Sequence, residues 1–172
     1  RGDQTEEYQC KYNEYMLKFF DKRPFMWATH LWNMFDFAAD ARHQGGEPGM
    51  NHKGLVTFDR KIKKDSFYLY KAWWSKEPFV YIAGRRYVDR VENKTEVKVY
   101  SNCPEVTLYV NGEKFATQKG DKVFTFRVPI KGKVKLEAVS GNHRDQINIR
   151  KVSIANPAYK LAKKISGGGN WT

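Results

Sequence analysis

Residues 105–116 have the sequence Glu-Val-Thr-Leu-Tyr-Val-Asn-Gly-Glu-Lys-Phe-Ala. Val106, Leu108 and Val110 alternate with less apolar residues, and this period of two is typical of a strand with one buried face. Asn111-Gly112 comes directly after the alternation and favours the two-residue turn of a β-hairpin. The stretch therefore predicts two antiparallel strands joined by a tight turn.

The same alternation continues through the second half of the chain at spacings of about ten residues. Its apolar positions are Phe124, Phe126 and Val128, then Val134, Leu136 and Ala138, then Ile147 and Ile149. Short strands at this spacing are typical of a small antiparallel sandwich. We therefore predict an all-β domain over residues 76–155. A linker or tail is predicted over 156–172, where Ser166-Gly167-Gly168-Gly169 occurs.

Residues 5–22 show the three- and four-residue apolar spacing of an amphipathic helix. The spaced residues are Tyr8, Tyr12, Tyr15, Met16 and Phe19. Thr5 is suited to cap the first turn, and Pro24 forbids continuation of the helix. A second helix is predicted over residues 65–75, where Asp65 can cap the N-terminus.

The run from Phe25 to Phe37 is almost continuously apolar and aromatic, without alternation. Such runs are typical of strands that are buried on both faces, as in parallel sheets. The polar, glycine-containing segment from Ala38 to Asn51 is predicted to be a long functional loop. Helix, buried strand, loop and helix together make one repeat of an α/β architecture over residues 1–75.

The chain carries a net charge of +12, with 31 Lys and Arg against 19 Asp and Glu. Most of the excess lies after residue 75, where Lys131, Lys133 and Lys135 occupy alternate positions. Alternate lysines are typical of the solvated face of a sheet, so no nucleic-acid partner is predicted, and nucleic-acid binding by the basic second half is kept as an alternative. No apolar run reaches the ~18 residues of a membrane helix. Cys10 and Cys103 have no metal or redox spacing and are predicted to be buried thiols.

The residues by themselves show no complete active site. The candidate carboxylates are Asp36, Asp40 and Asp59, and the candidate metal ligands are His30, His43 and His52. Nothing in the sequence pairs two of the carboxylates as a glycosidase requires, so structural roles such as loop ordering are favoured for them. The histidines lack the spacing of metal ligands, so no metal is expected.

Trp32 and Asn33 lie near the carboxyl end of the predicted buried strand, where barrel enzymes bind substrate. An indole presents a flat apolar face to the C–H side of a pyranose, and polar neighbours can bind its hydroxyls. A tryptophan in the hydrophobic core is the alternative. The residues alone leave both interpretations open.

Three stretches carry a specific resemblance: Trp27 to Phe37 (WATHLWNMFDF), Asn51 to Lys61 (NHKGLVTFDRK), and Tyr70-Lys71-Ala72. They closely resemble the last strand, last loop and last helix of the catalytic barrel in glycoside hydrolase family 2, above all in its β-galactosidases. The resemblance covers about residues 3–90. The sandwich that follows is similar to the immunoglobulin-like domain after the barrel in these enzymes.

The resemblance implies an α/β fragment, the last part of a (β/α)8 TIM barrel, followed by an immunoglobulin-like β-sandwich. It implies a retaining hydrolase of terminal non-reducing β-D-galactosides whose two catalytic glutamates both lie outside this chain. Because these carboxylates must be held ~5 Å apart, we predict that the parent protein is the enzyme and that this chain alone is inactive. A carbohydrate partner is implied, without a cofactor or a metal.

The resemblance also implies three substrate-binding residues. Trp32 matches the tryptophan beneath the sugar, and Asn51 and Lys53 match the loop that lines the same subsite. Related β-glucuronidases have an Asn-x-Lys pair here that binds the substrate carboxylate, so β-glucuronidase activity is the alternative. The flanking residues favour the galactosidase. The ammonium of Lys53 argues against the monovalent cation that some galactosidases bind near this loop.

Two further interpretations concern the parts of the chain separately. The alternative for the sandwich is a non-catalytic carbohydrate-binding or structural module, which exposure of Tyr100 and Tyr109 on one sheet face would support. Residues 1–75, as an incomplete barrel, would leave strand edges unpaired and would then rearrange, swap or pair with another copy. A homo-oligomer is therefore an expected partner state.

Overall fold

The computed structural model describes residues 5–44 and 47–159. The chain divides into two compact units, with the boundary between Phe67 and Tyr68, inside the second helix. The domain limits expected from the sequence, 1–75, 76–155 and 156–172, stay a prediction. The glycine-rich stretch Ser166-Gly167-Gly168-Gly169 lies outside the described residues.

Helix α1 (Glu6–Asp21) confirms the helix predicted over residues 5–22. Thr5 caps it, because the Thr5 side chain accepts a hydrogen bond from the Tyr8 backbone N–H at 3.3 Å. The predicted apolar face was wrong. Cys10, Asn13 and Leu17 are the buried residues, whereas the tyrosines of the predicted stripe are exposed. A tyrosine can leave its ring at the surface because its hydroxyl is hydrated there.

The strand predicted over Phe25 to Phe37 was wrong. Among the described residues, this run makes no strand before Phe37. Phe25, Trp27 and Trp32 are 80%, 95% and 70% exposed. A strand buried on both faces needs partner strands at both edges and layers on both faces. For residues 25–36, the described chain supplies only one parallel bridge, between Phe35 and Val56.

The segment predicted as a loop over Ala38 to Asn51 forms a two-stranded antiparallel ribbon instead. Its strands are β1 (Phe37–Gln44) and β2 (Glu47–Asn51). Phe37 pairs with Asn51, and the register shifts near His43. The polar composition misled the prediction because ladder hydrogen bonds join backbone groups and do not require apolar side chains.

Helix α2 (Asp65–Trp74) confirms the second predicted helix. In the first unit, Glu6 of α1 accepts a hydrogen bond from the Asp65 backbone N–H at 2.5 Å. Ser66 donates a hydrogen bond from its hydroxyl to the Gln9 side chain at 2.9 Å. Because the first N–H groups of a helix have no partner within the helix, Glu6 acts as a cap supplied by another helix.

The second unit confirms the predicted antiparallel sandwich. Its strands are β3 (Val80–Ile82), β4 (Asp89–Arg90), β5 (Lys94–Ser101), β6 (Glu105–Val110), β7 (Glu113–Lys119), β8 (Lys122–Pro129), β9 (Lys133–Ser140) and β10 (His143–Lys151). One sheet has the order β4-β10-β9-β6-β7 and the other has the order β3-β5-β8. Only β4 and β10 pair in parallel among these strands. Its immunoglobulin-like relationship stays a prediction.

The apolar residues of the alternating pattern form the core between the two sheets. They include Val106, Leu108, Phe124, Phe126, Val128, Val134, Leu136, Ala138, Ile147 and Ile149. The lysines at alternate positions, such as Lys133 and Lys135, are exposed as predicted. Asn111 and Gly112 have φ of 53° and 88°, as the predicted hairpin turn between β6 and β7 requires.

Three further predictions concern single residues or elements. Cys10 and Cys103 are both buried, as predicted. Tyr100 is fully buried, so the idea of a sugar-binding aromatic at that position was wrong: its ring is packed inside the sandwich. Tyr109 is half-buried on β6.

Over the described part of the chain, neither helix has the length and apolar character to cross a bilayer.

Candidate functional site

The candidate site lies in the first unit, where residues 33–36 run beside residues 54–56. The Leu55 N–H donates to the Met34 carbonyl at 3.0 Å, and the Asp36 N–H donates to the Val56 carbonyl at 2.9 Å. Phe35 and Val56 form the parallel bridge between the two segments. The pairing brings the backbone after Trp32 next to the backbone after Lys53. The resemblance implies that Trp32, Asn51 and Lys53 form one subsite, and this stays a prediction.

Trp32 is largely exposed, so its indole is accessible from solvent. Its ring meets the Phe37 ring edge to face, with the centroids 6.1 Å apart and an interplanar angle of 90°. The peptide bond between Trp32 and Asn33 is cis. The Asn33 side-chain oxygen is buried and has no hydrogen-bond partner among the described residues. This arrangement leaves an indole face available for an apolar ligand surface.

Asn51 is buried, and its side-chain oxygen accepts a hydrogen bond from the Lys53 backbone N–H at 3.0 Å. Such a bond from a side chain to the backbone two residues on fixes a tight local turn. The Lys53 side chain is half-buried, and its backbone carbonyl accepts from the Gln9 amide at 3.0 Å. Asn51 and Lys53 therefore belong to one ordered segment, which also contains His52.

Asp36 is the centre of the hydrogen bonds that order this segment. Its Oδ1 accepts from the Gly54 backbone N–H at 2.9 Å and from Lys64 Nζ at 2.7 Å. Its Oδ2 lies 3.5 Å from His52 Nδ1. The other ring nitrogen of His52 lies 3.1 Å from Glu47 Oε2. Asp36 thus orders the loop, in line with the structural role favoured for it from the sequence.

Gly54 is required at its position because Asp36 and Phe35 lie directly against it. A Cβ atom at residue 54 would lie 2.1 Å from the Asp36 nitrogen and 2.2 Å from the Phe35 carbonyl carbon. Real Cβ atoms do not approach backbone that closely. Any side chain here would force the two segments apart.

The turn after the paired segments is stabilised separately. The Arg60 guanidinium lies 4.0 Å from the centre of the Phe35 ring and donates to the Phe58 carbonyl at 2.7 Å. The Thr57 hydroxyl donates to Asp59 at 2.6 Å and is the main reason that the pKa of Asp59 is lowered. Asp59 therefore stays ionised as a turn residue.

Sequence reasoning missed three residues of this site: Lys64, Gln9 and Gly54. Lys64 and Gln9 act through contacts 28 and 44 residues apart in sequence, which no local pattern reveals. Gly54 stands directly after the Asn51–Lys53 segment, and a glycine at that point was the one available signal. In the part of the chain that the structure describes, no three His, Cys, Asp or Glu side chains gather as a metal site would.

Residues 92–144 match a family model described as a domain of unknown function, DUF4982. A β-glucuronidase from Bacteroides fragilis is 46% identical over 121 residues, which is 70% of this chain and 17% of that protein. A putative β-glucuronidase from Formosa agariphila is 38% identical over 128 residues, 72% of this chain and 15% of that protein.

Two crystal structures are similar over most of the chain. An FMN-binding β-glucuronidase from Faecalibacterium prausnitzii L2-6 has a TM-score of 0.88 and 51% identity, covering 92% of this chain and 25% of that one. A putative β-galactosidase from Bacteroides fragilis has a TM-score of 0.80 and 40% identity, covering 87% of this chain and 24% of that one. The chain thus spans a quarter or less of each of these relatives.

These relatives support the glycosidase family expected from the sequence, but they do not favour its β-galactosidases over its β-glucuronidases. The homologues of this chain are β-glucuronidase- and β-galactosidase-like members of glycoside hydrolase family 2, and the chain matches a C-terminal fragment of them.

Proposed function

We propose that this chain is part of a retaining β-glucuronidase and that Asn51 and Lys53 bind the carboxylate of the substrate. The observation that carries the proposal is the identity of 46% and 51% to two proteins named β-glucuronidases. The Asn51-His52-Lys53 spacing adds to it. We therefore propose β-glucuronidase activity ahead of the galactosidase activity that the flanking residues favoured.

The chemistry of the two side chains suits a uronic acid. A lysine ammonium makes a charge-assisted hydrogen bond with the carboxylate of a uronic acid. A galactoside has a neutral hydroxymethyl group at the position of that carboxylate and cannot make this bond. The Asn51 side-chain oxygen already accepts from the Lys53 backbone. Because the oxygen of the Asn51 amide is used in this bond, the NH₂ group of the amide is the one left to donate a hydrogen bond to an anion.

Trp32 is proposed as the apolar floor of the same subsite. Its exposed indole and its position beside the Asn51–Lys53 segment support this role. Stacking of a pyranose on an indole removes apolar surface of both from water. Trp32 would then fix the plane of the sugar, while Lys53 fixes the direction of its carboxylate.

The first unit is proposed to complete a (β/α)8 barrel in the full-length enzyme. The exposed aromatic run that includes Phe25 and Trp27 supports this proposal, because an apolar run of that size is normally covered. The two catalytic glutamates would come from the rest of the barrel. This chain alone is then inactive, and if it is produced alone, the uncovered run would pair it with a second copy.

The test compares two substrates of the full-length parent enzyme, nitrophenyl β-D-glucuronide and nitrophenyl β-D-galactoside. We expect kcat/KM for the glucuronide to exceed that for the galactoside by a factor on the order of 100, the size of one charge-assisted contact. A preference for the galactoside would refute the proposal.

β-Galactosidase activity stays as the second candidate because of one observation. The similar structure from Bacteroides fragilis with 40% identity is named a putative β-galactosidase. Under this candidate, Lys53 would contact a neutral sugar hydroxyl. The same pair of substrates distinguishes the two, since only a galactosidase would hydrolyse the galactoside faster.

A further inference from the structure

We infer that Asp36 and Lys64 are positioning residues that hold Lys53 in place for the substrate carboxylate. The inference rests on the proposed carboxylate-binding role of Lys53. The two side chains form a buried ion pair, with Lys64 Nζ 2.7 Å from Asp36 Oδ1 and side-chain exposures of 13% and 2%. Neither residue belongs to the Asn51–Lys53 segment.

The ion pair holds the backbone on both sides of Lys53. Lys64 Nζ also donates to the His52 carbonyl at 3.0 Å, directly before Lys53. Asp36 Oδ1 accepts from the Gly54 N–H at 2.9 Å, directly after Lys53. The Lys53 backbone is therefore fixed between two contacts of one ion pair.

Gln9 adds a third contact to the same short stretch of backbone. Its amide donates to the Lys53 carbonyl at 3.0 Å and to the Gly54 carbonyl at 3.1 Å. The Ser66 hydroxyl in turn donates to the Gln9 oxygen and fixes the orientation of the amide. Two independent supports thus converge on the one lysine proposed to bind substrate.

Other titratable or charged side chains also lie near Asp36, among them Arg60, whose guanidinium donates to the Asp36 carbonyl at 3.4 Å. His52 Nδ1 lies 3.5 Å from Asp36 Oδ2, and Glu47 lies on the far side of the imidazole. Lys64 is closer to Asp36 than His52 is, and it also binds the backbone. Lys64 is therefore the partner whose removal should release the segment.

A buried ion pair contributes little net stability compared with apolar residues of the same size, but it fixes geometry. Lysine has a long flexible side chain, so a fixed backbone reduces the conformational freedom lost when its ammonium binds an anion. The expected consequence is specific. Loss of the pair should weaken binding of a charged sugar and leave hydrolysis of a neutral sugar unchanged.

The test uses Asp36→Asn and Lys64→Met in the full-length parent enzyme, with Lys61→Met as the matched control. Lys61 lies on the nearby turn and pairs only at the surface, with Asp59 at 3.6 Å. We expect kcat/KM for nitrophenyl β-D-glucuronide to fall roughly 10- to 100-fold through KM, as for other supporting contacts. Nitrophenyl β-D-glucoside should be hydrolysed within about threefold of the wild-type rate, and Lys64→Arg should recover part of the loss.

A double-mutant cycle with Lys53→Ala decides the interpretation. If Asp36 acts through Lys53, Asp36→Asn should have almost no further effect on the glucuronide once Lys53 is alanine. Additive losses, or equal losses on both sugars, would overturn the positioning role while the proposed function stands. If Lys53→Ala has no effect on the glucuronide, the proposed carboxylate role and this inference both fail.

A second variant covers the case in which Asp36→Asn does not fold. Gln9→Met removes the independent support of Lys53 without breaking the ion pair. It should give a smaller loss of the same kind, confined to the glucuronide and to KM. An equal effect of Gln9→Met on both sugars counts against the inference.

Discussion

Phe35 and Val56 pair as a parallel bridge, and each stands three residues after one of the proposed substrate-binding residues, Trp32 and Lys53. Because the two segments run in the same direction, Trp32 and Lys53 both precede the bridge and lie at the same end of the pairing. The pairing of the two backbone segments therefore determines the positions of both Trp32 and Lys53, which are distant in sequence. The arrangement depends on the close contacts at Asp36 and Gly54.

Replacing Gly54 should disrupt that arrangement. In Gly54→Ala the new methyl group would lie 2.1 Å from the Asp36 nitrogen. We expect a loss on the order of 3 kcal/mol in the free energy of unfolding, measured with urea, because backbone must move. Gly49→Asn is the control, since an added Cβ there meets nothing within 4 Å and asparagine tolerates its φ of 70°. Equal stability of Gly54→Ala and wild type would contradict the geometry.

Removing the cap that Glu6 provides should destabilise α2. In Glu6→Ala the Asp65 N–H loses its acceptor, and we expect a cost of about 1 kcal/mol in urea unfolding. Glu7→Ala is the matched control because Glu7 lies in the same first turn of α1. If both variants cost the same, the loss comes from the first turn of α1 and not from the cap.

The ion pair between Asp89 and Arg150 should make the sandwich sensitive to acid. The Arg150 side chain and then the Asn156 amide, which donates at 2.7 Å, lower the pKa of Asp89. Because the folded pKa lies below the unfolded value near 3.8, the stabilisation is present above about pH 4. It is lost as the pH falls through the lowered pKa.

Urea unfolding at several pH values measures this effect. Asp89→Asn should lower stability at pH 7 and reduce the loss of stability on acidification. Asp121→Asn is the control, because Asp121 pairs with Lys122 while 71% exposed. The assignment fails if Asp89→Asn leaves the acid dependence of stability as steep as in the wild type.

The sandwich core should respond to truncation as a packed interior does. Leu136 is fully buried on β9, so Leu136→Ala should cost about 2–5 kcal/mol in the free energy of unfolding. Lys133→Ala, on the exposed face of the same strand, should cost less than about 0.5 kcal/mol. Similar losses in the two variants would mean that β9 has been assigned the wrong buried face.

The sandwich could be predicted from the sequence because its core is periodic. Val106, Leu108 and Leu136 alternate with polar residues in a pattern that only one register satisfies. The turn at Asn111-Gly112 could be predicted because its signal consists of two adjacent residues. Helix α1 was located by Thr5 and Pro24, but its buried face was not, since a tyrosine can lie in the core or at the surface.

The first unit was predicted less well because its structure depends on distant contacts. The run from Phe25 to Phe37 has the composition of a buried strand, but the described chain lacks the partner strands that would bury it. The charged residues that order the site are also distant in sequence. Asp36 and Lys64 are 28 residues apart, and no periodic pattern of residues predicts their contact.

The most direct test of the central claim is the effect of Lys53→Ala on the full-length parent enzyme. The account predicts that kcat/KM for nitrophenyl β-D-glucuronide falls roughly 10- to 100-fold, while a neutral β-glycoside is hydrolysed as before. An unchanged kcat/KM for the glucuronide would contradict the claim that this ammonium binds the carboxylate.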